Sequence, residues 1–211
     1  MLPAKPFYLI RHGESVANSL EVAAGGGFDS PLTEKGQGQA KTLSPFLPQL
    51  DIQPHQVHHS SMIRAKDTAI FLNESLELPM TEWYELREHE LGDWEERPWS
   101  EVSHRLEARE APPNGEPHYE FAQRIQSIFT SILEESDDIP MIVCHGGVFH
   151  ALGMLYEYGM SKIQNCHLHY FEPEPLFEDF PWRVHHFDIE GETLVKRQAP
   201  FCLSHALSRI A

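Results

Sequence analysis

The chain has 211 residues, 41% of them apolar, which is enough for a sizeable core and within the range of one domain spanning residues 1–211. With 23% charged and 10% aromatic residues it is not a disordered chain, and no stretch approaches the roughly 20 apolar residues of a membrane span. Sixteen Lys and Arg against 32 Asp and Glu give a net charge of −16, which disfavours nucleic acid or an anionic membrane as partner, so any cationic site must be local.

Met1-Leu2-Pro3-Ala4-Lys5-Pro6 runs into Phe7-Tyr8-Leu9-Ile10 without a signal-peptide core of about 7–15 apolar residues, so a cytoplasmic protein is expected. Phe7 to Ile10 reads as a buried strand that ends in the polar cluster Arg11-His12-Gly13-Glu14-Ser15. After Gly25-Gly26-Gly27, Thr33 opens a helix toward Leu50 that Pro45 and Pro48 shorten or kink. Val57 to His59 is a second short strand, and Ser60 or Ser61 can cap a helix carrying Arg64 in its first turn and ending before Leu78-Pro79.

The stretch from Glu82 to Glu101 is rich in Trp and Glu; Pro112-Pro113-Asn114-Gly115 is a turn, followed by the helical pattern Phe121, Ile125, Ile128, Phe129, Ile132. Met141 to Cys144 repeats the opening theme, an apolar strand ending in His145-Gly146-Gly147 and leading into a helix from Val148 to about Tyr158. His167–Phe171, Arg183–Ile189 and Leu194–Gln198 read as further strands around a proline-rich loop, Pro173 to Pro181. Alternating strands and helices predict a three-layer α/β/α sandwich on a mainly parallel sheet, with ligands bound outside the carboxyl ends of the strands. Both His-Gly loops fall at such ends.

Cys144, Cys166 and Cys202 are odd in number and lack metal spacing, which points to reduced thiols. Protonating all 14 histidines would move the charge from −16 to −2, so solubility should fall between about pH 7 and pH 5.

Arg-His-Gly alone is a weak signal, because a histidine at a strand end is more often structural. The longer string is specific: Arg11 to Ser15, then Asn18, then Asp29-Ser30-Pro31-Leu32-Thr33-Glu34-Lys35-Gly36 with Gln39-Ala40. It resembles the histidine phosphatase superfamily, which includes phosphoglycerate mutases, fructose bisphosphatases and broad-specificity phosphatases. Later blocks match in order. Ser60 to Ala69 resembles the family's second-arginine helix, Leu86-Arg87-Glu88 with Gly92, Trp94 and Glu95 its acidic block, and Val143 to Val148 its second histidine block, with a weaker echo at Asn165-Cys166.

The chemistry asks for these residue types together, because a phosphoryl group in transit needs convergent cationic donors and a positioned nucleophile. His12 is the candidate nucleophile, one ring nitrogen attacking phosphorus and the other held by a backbone carbonyl. Arg11 and Arg64 should disfavour its protonation and clamp the phosphate. His145, at a helix amino terminus, can share the clamp as imidazolium or neutral donor, with the Gly146 amide beside it, and Asn18 can add a hydrogen bond. The resemblance assigns the general acid and base to Glu88, although Glu85, Glu90, Asp93, Glu95 and Glu96 crowd the same stretch.

Within the superfamily the resemblance favours a phosphatase over a mutase. The 57 positions from Glu88 to His145 hold only four basic residues, Arg97, Arg105, Arg109 and Arg124, where a mutase carries a longer basic insertion. Pro113-Asn114-Gly115-Glu116 resembles a turn of the phosphatase branch, while Ala17 before Asn18 and Met62-Ile63 before Arg64 depart from its usual residues. The implied substrate is a small phosphomonoester. No cofactor and no metal is required, since arginines and histidines supply the positive charge.

Two other readings stand beside this one: a metal protein using His58-His59, His185-His186 and the His167-x-His169 pair, and a family member that binds phosphorylated partners without turnover. Specificity is expected in the Gly25–Phe28 loop, the Trp94–Trp99 segment and the Pro173–Pro181 loop. The aromatic residues Phe177, Phe180 and Trp182 could form either a lid or the patch of a homodimer.

Overall fold

Both faces of strand β1 (Phe7–Arg11) are apolar, and both are covered. Phe7 and Leu9 enter one core, and Tyr8 and Ile10 another, as the period of two along a strand requires. The computed structural model describes residues 1–135, 138–160, 163–174, 180–199 and 201–203. After β1 come α1 (Val16–Ser19), α2 (Glu34–Leu43), β2 (Gln56–Ser60), α3 (Ile63–Asn73), β3 (Met80–Trp83), α4 (Trp99–Glu107) and α5 (His118–Glu135). The order continues with β4 (Pro140–Cys144), α6 (Gly146–Tyr156), β5 (Tyr158–Met160), β6 (Leu168–Pro173), β7 (Trp182–Glu190), β8 (Thr193–Gln198) and β9 (Phe201–Leu203).

Seven strands form one sheet in the order β3-β2-β4-β1-β6-β7-β8. The first four are parallel, and from β1 outward the sheet continues antiparallel through β6, β7 and β8, which makes it mixed. The β7–β8 reversal is made at Gly191, whose φ of +62° suits a tight hairpin. Helices α5 and α6 cover one face through Phe121, Ile125, Phe129, Val148 and Leu152, and α2 and α3 cover the other through Ala40, Leu43, Ala69 and Leu72. The expected sandwich is therefore present, and the carboxyl ends of the parallel strands β1, β2 and β4 lie side by side.

Two elements had no clear sequence signal. β3 is an edge strand with no fully buried residue, and α4 buries only Val102, against Ala23, Leu91 and Trp94 in a small separate core. The α2 pattern stops at Leu43, where the chain tightens into a 3₁₀ segment at Ser44–Gln49 containing Pro45 and Pro48. Most of the Pro173–Pro181 loop, Phe177 with it, lies outside the described residues.

The loop after β1 is pressed directly onto α2. A Cβ on Gly36 would stand 2.1 Å from the Glu14 carbonyl oxygen, and one on Gly13 would stand 2.4 Å from that of Gly36. Two positions along the same helix, Gly38 is exposed and would meet nothing within 4 Å. Gly36→Ala should therefore cost about 1–3 kcal/mol through forced overlap, whereas Gly38→Ala should be neutral or stabilise by up to about 1 kcal/mol. Urea unfolding of both variants measures the contrast.

Two sheet histidines are buried in the neutral form. The Trp83 indole N–H donates to His58 Nδ1 at 2.9 Å, which requires a lone pair there, and burial, then His59, pushes His58 down to about 4. Burial, then His167, pushes His169 down to about 3. Both values lie below the ordinary 6.5, so the unfolded chain takes up protons first as the pH falls. Stability should drop progressively from about pH 6.5 to about pH 3, by on the order of a few kcal/mol. Urea midpoints at pH 7 and pH 4.5 check this, and equal midpoints would contradict it.

Candidate active site

His12 is the first residue beyond β1, fixed by its own backbone N–H, which donates to the Cys144 carbonyl at the end of β4. Its Nδ1 lies 2.7 Å from the Gly13 carbonyl oxygen, so Nδ1 carries the proton and donates. Nε2 is left with its lone pair, which accepts from Arg64 Nε–H at 3.2 Å. The side chain is buried. Burial first, then the charges of Arg64 and Arg11, hold its pKa well below the usual 6.5.

Arg64 is 1% exposed, yet its partners are mostly neutral. Nη2 donates to Gly25 O at 2.9 Å and Nη1 to Phe28 O at 3.2 Å, while the Asp29 carboxylate stands off at 3.8 Å. The glycine loop thus serves to seat the arginine. The start of α3 is capped differently from expectation: Met62 is the N-cap, Asp29 accepts from the Ile63 N–H, and Ser60 Oγ accepts from the Met62 N–H.

His145 is the N-cap of α6 and is fully buried. Its Nε2 lies 2.9 Å from Ser60 Oγ; that oxygen accepts from the Met62 N–H, and the hydroxyl proton has no other acceptor within reach among the described residues, so it goes to Nε2 and Nδ1 bears the ring hydrogen. Nδ1 has no partner. Burial first, then Arg64, His12, Arg11 and Arg87, push its pKa well below 6.5. Of the two forms anticipated for His145, the unliganded site therefore holds the neutral donor. The His12 and His145 ring centroids are 5.2 Å apart.

Glu88 sits across the start of α6. Its Oε2 accepts from the Gly147 N–H and its Oε1 from the His89 N–H, each at 3.0 Å. A Cβ on residue 147 would lie 2.0 Å from Oε1, so glycine is what lets the carboxylate reach the helix end. Gly146 lies against Arg11: a Cβ there would meet Arg11 Nε at 3.5 Å. Arg11 Nη1 donates to Ile163 O at 2.8 Å, and Nε has no partner. Asn18 Oδ1 accepts from the Ser15 N–H and from Asn165 Nδ2, which leaves the Asn18 amide nitrogen to donate.

The six residues singled out from the sequence therefore meet at one place, and Gly146 with them. Three contributors were missed. Arg87 Nη2 donates to Gly26 O while its Nε is buried without a partner; it stood in the Leu-Arg-Glu block beside Glu88 but carried no signal of its own. Asn165 Nδ2 also donates to the His12 carbonyl at 3.0 Å. Arg124 holds the acidic block in shape, donating to the carbonyls of Glu85, Arg87 and Glu88 and pairing with Glu116 at 2.7 Å. Among the described residues, four buried side-chain polar atoms lack a partner, and three of them are Arg11 Nε, Arg87 Nε and His145 Nδ1.

The histidine pairs considered for metal do not gather as pairs. His58 is engaged by Trp83, His59 Nδ1 donates to Ser60 O, His169 Nδ1 donates to His167 O, and His185 bonds Glu172. Of the segments expected to set specificity, Trp94 is buried under Arg105, whereas Trp99 is exposed. No described helix is long and apolar enough to cross a membrane.

Known proteins resemble the chain in both sequence and fold. The chain is 36% identical over 157 residues to adenosylcobalamin/alpha-ribazole phosphatase of Salmonella typhimurium, covering 69% of this chain and 76% of that protein. It is 29% identical over 189 residues to the uncharacterized phosphatase PhoE of Bacillus subtilis, covering 87% and 94%. Among solved structures, a mycobacterial glucosyl-3-phosphoglycerate phosphatase superposes with a TM-score of 0.68 at 25% identity, covering 85% of this chain and 96% of that one. A phosphoglycerate mutase from Bacillus anthracis shares the fold, with a TM-score of 0.70 at 22% identity over 86% of this chain and 92% of that one. The model of the histidine phosphatase superfamily, branch 1, matches residues 7–173, and the chain belongs to that family.

Proposed function

We propose that the protein is a metal-independent phosphomonoester hydrolase that acts through a phosphohistidine on a small phosphorylated metabolite. The observation that carries this reading is the set of buried donors without partners, Arg11 Nε, Arg87 Nε and His145 Nδ1, around a neutral histidine whose Nε2 lone pair is held by Arg64 Nε–H. Buried donors left unpaired are costly, and phosphate oxygens would satisfy them. Relatives in the family that bear the name phosphatase support hydrolysis, and the mycobacterial relative has been solved in complex with VO3 and with inorganic phosphate.

The chemistry follows from the bonds. A phosphate entering the site competes for Arg64 Nε–H and so frees His12 Nε2, which attacks phosphorus in line as the P–O bond to the alcohol breaks. Glu88 gives its proton to the departing alkoxide, then takes one from the water that attacks the phosphohistidine; the N–P bond breaks and inorganic phosphate leaves. Arg11, Arg64, Arg87, His145, Asn18 and the Gly146 amide hold the three equatorial oxygens throughout.

Release of inorganic phosphate from an activated aryl phosphate and from a panel of metabolite monoesters, in chelator, tests the reading. His12→Ala should abolish turnover, Glu88→Gln should slow it by about 10²–10⁴, and Arg87→Ala should slow it by on the order of 10². Release that needs added metal, or that survives His12→Ala, overturns the mechanism. No release from any ester would shift the reading to a mutase or a non-catalytic phosphate binder, which a phosphoglycerate isomerisation assay separates.

The pH profile supplies a second test. His12 must be unprotonated to attack, and its pKa lies well below 6.5. The free-enzyme acid limb belonging to His12 should therefore fall below the ordinary imidazole range, so that kcat/KM shows no loss from this group between pH 8 and pH 6. A limb near pH 6.5 that reflects His12 ionisation, read from the ring signals by NMR, would refute this.

A further inference from the structure

Outside the phosphate site, two histidines and an aspartate meet on the antiparallel half of the sheet. His186 and Asp188 are two apart on β7 and share a face; His169 of β6 pairs with His186, which brings His167, just before β6, level with Asp188. His167 Nε2 lies 3.4 Å from Asp188 Oδ1, and His186 Nε2 lies 3.3 Å from Oδ2. The ligand atoms of the three residues are all within 4.8 Å of one another, and all three side chains are partly buried.

These spacings are long for charge-assisted hydrogen bonds, which run to about 2.7–2.9 Å. In the same sheet, His185 Nε2 does reach Glu172 Oε2 at 2.7 Å. A tetrahedral ion with bonds of about 2.0–2.1 Å sets its ligand atoms about 3.3–3.4 Å apart; the separation of His167 Nε2 from Asp188 Oδ1 matches that edge, and His186 Nε2 stands beside the other oxygen of the same carboxylate.

We propose that His167, His186 and Asp188 bind a divalent zinc-class ion, with its fourth position open to water, at a site separate from the phosphate pocket. The surroundings fit. Arg197 Nε holds Asp188 Oδ2 at 3.1 Å while its Nη2 pairs with Glu190. Such outer contacts orient metal ligands, and Glu190 offsets the arginine's charge. A cleft of about 460 Å³ bordered by Lys35, Gln39, Asn165, His167 and Asp188 gives the ion a way in.

An ion here would act on the fold rather than on the phosphate. His167 follows Asn165 and Cys166, whose N–H groups hold the carbonyls of Arg11 and His12, so the ion would tie that segment to β7 from behind.

The test uses full-length protein stripped with chelator and dialysed. Calorimetric titration with Zn²⁺ should give one ion per chain, and Co²⁺ should develop the visible absorption of a tetrahedral nitrogen–oxygen site. His186→Ala and Asp188→Asn should each weaken binding by on the order of 10²-fold or more, with His186→Gln as the milder variant if His186→Ala does not fold by circular dichroism. His12→Ala should bind as wild type, which separates this site from the phosphate pocket. Zn²⁺ should raise the thermal midpoint of wild type and not of His186→Gln. Absence of binding, binding untouched by His186→Gln and Asp188→Asn, or binding lost in His12→Ala would each overturn the proposal. None of these readouts depends on phosphatase activity, so the proposed function stands or falls separately.

Discussion

One hydrogen bond, from His12 Nδ1 to the Gly13 carbonyl at 2.7 Å, decides what the site can be. It fixes the ring's tautomer and so leaves Nε2 basic. For that carbonyl to sit where the ring can reach it, the loop after β1 must fold back tightly against α2, which the bare backbones of Gly13 and Gly36 permit. The same turn sends the Gly13 N–H to Thr68 Oγ1, whose hydroxyl donates to the Arg64 carbonyl. His12 and Arg64 are thereby set by one continuous chain of hydrogen bonds.

A second constraint is charge. A chain at −16 must keep a cluster of guanidinium groups attractive to an anion, which it could not do if each met a carboxylate. The partners chosen are carbonyls: Gly25 and Phe28 for Arg64, Gly26 for Arg87, Ile163 for Arg11. Asp29 stands 3.8 Å from Arg64, and Glu88, whose charge acts on both Arg11 and Arg64, is turned to the amides of His89 and Gly147. Carbonyl dipoles steady buried cations without cancelling them, so the positive field remains for the ligand.

Much of this was legible in the sequence because the chemistry is carried by contiguous strings at strand ends. Arg11-His12-Gly13 and His145-Gly146-Gly147 each combine a strand's end with the loop that presents the side chain, and Arg64 lies in the first turn of a patterned helix. What escaped notice depends on long-range register. Arg87 and Arg124 act through backbone carbonyls, which no residue type advertises. β3 was invisible because an edge strand with half-buried side chains lacks an apolar run. The reversal of β6 against β1 was likewise unreadable, since short apolar strands carry no mark of direction. The histidines of β6 and β7 were noted as neighbours in sequence, but it is the antiparallel ladder that sets His167 level with Asp188.

The two described thiols flank His12. The Cys144 carbonyl accepts from the His12 N–H, and the Cys166 N–H donates to the carbonyls of Arg11 and His12. Burial drives the Cys144 thiol well above its usual value and that of Cys166 to about 12, so neither forms thiolate at physiological pH. Peroxides and electrophiles attack thiolates, and a phosphoryl-transfer centre built on cysteine is exposed to them by design. In the proposed mechanism the reactive atom is instead an imidazole nitrogen, and the adjacent sulfurs are held in the inert protonated form. Under the proposed mechanism, then, neither described cysteine beside His12 offers an oxidant a thiolate to attack.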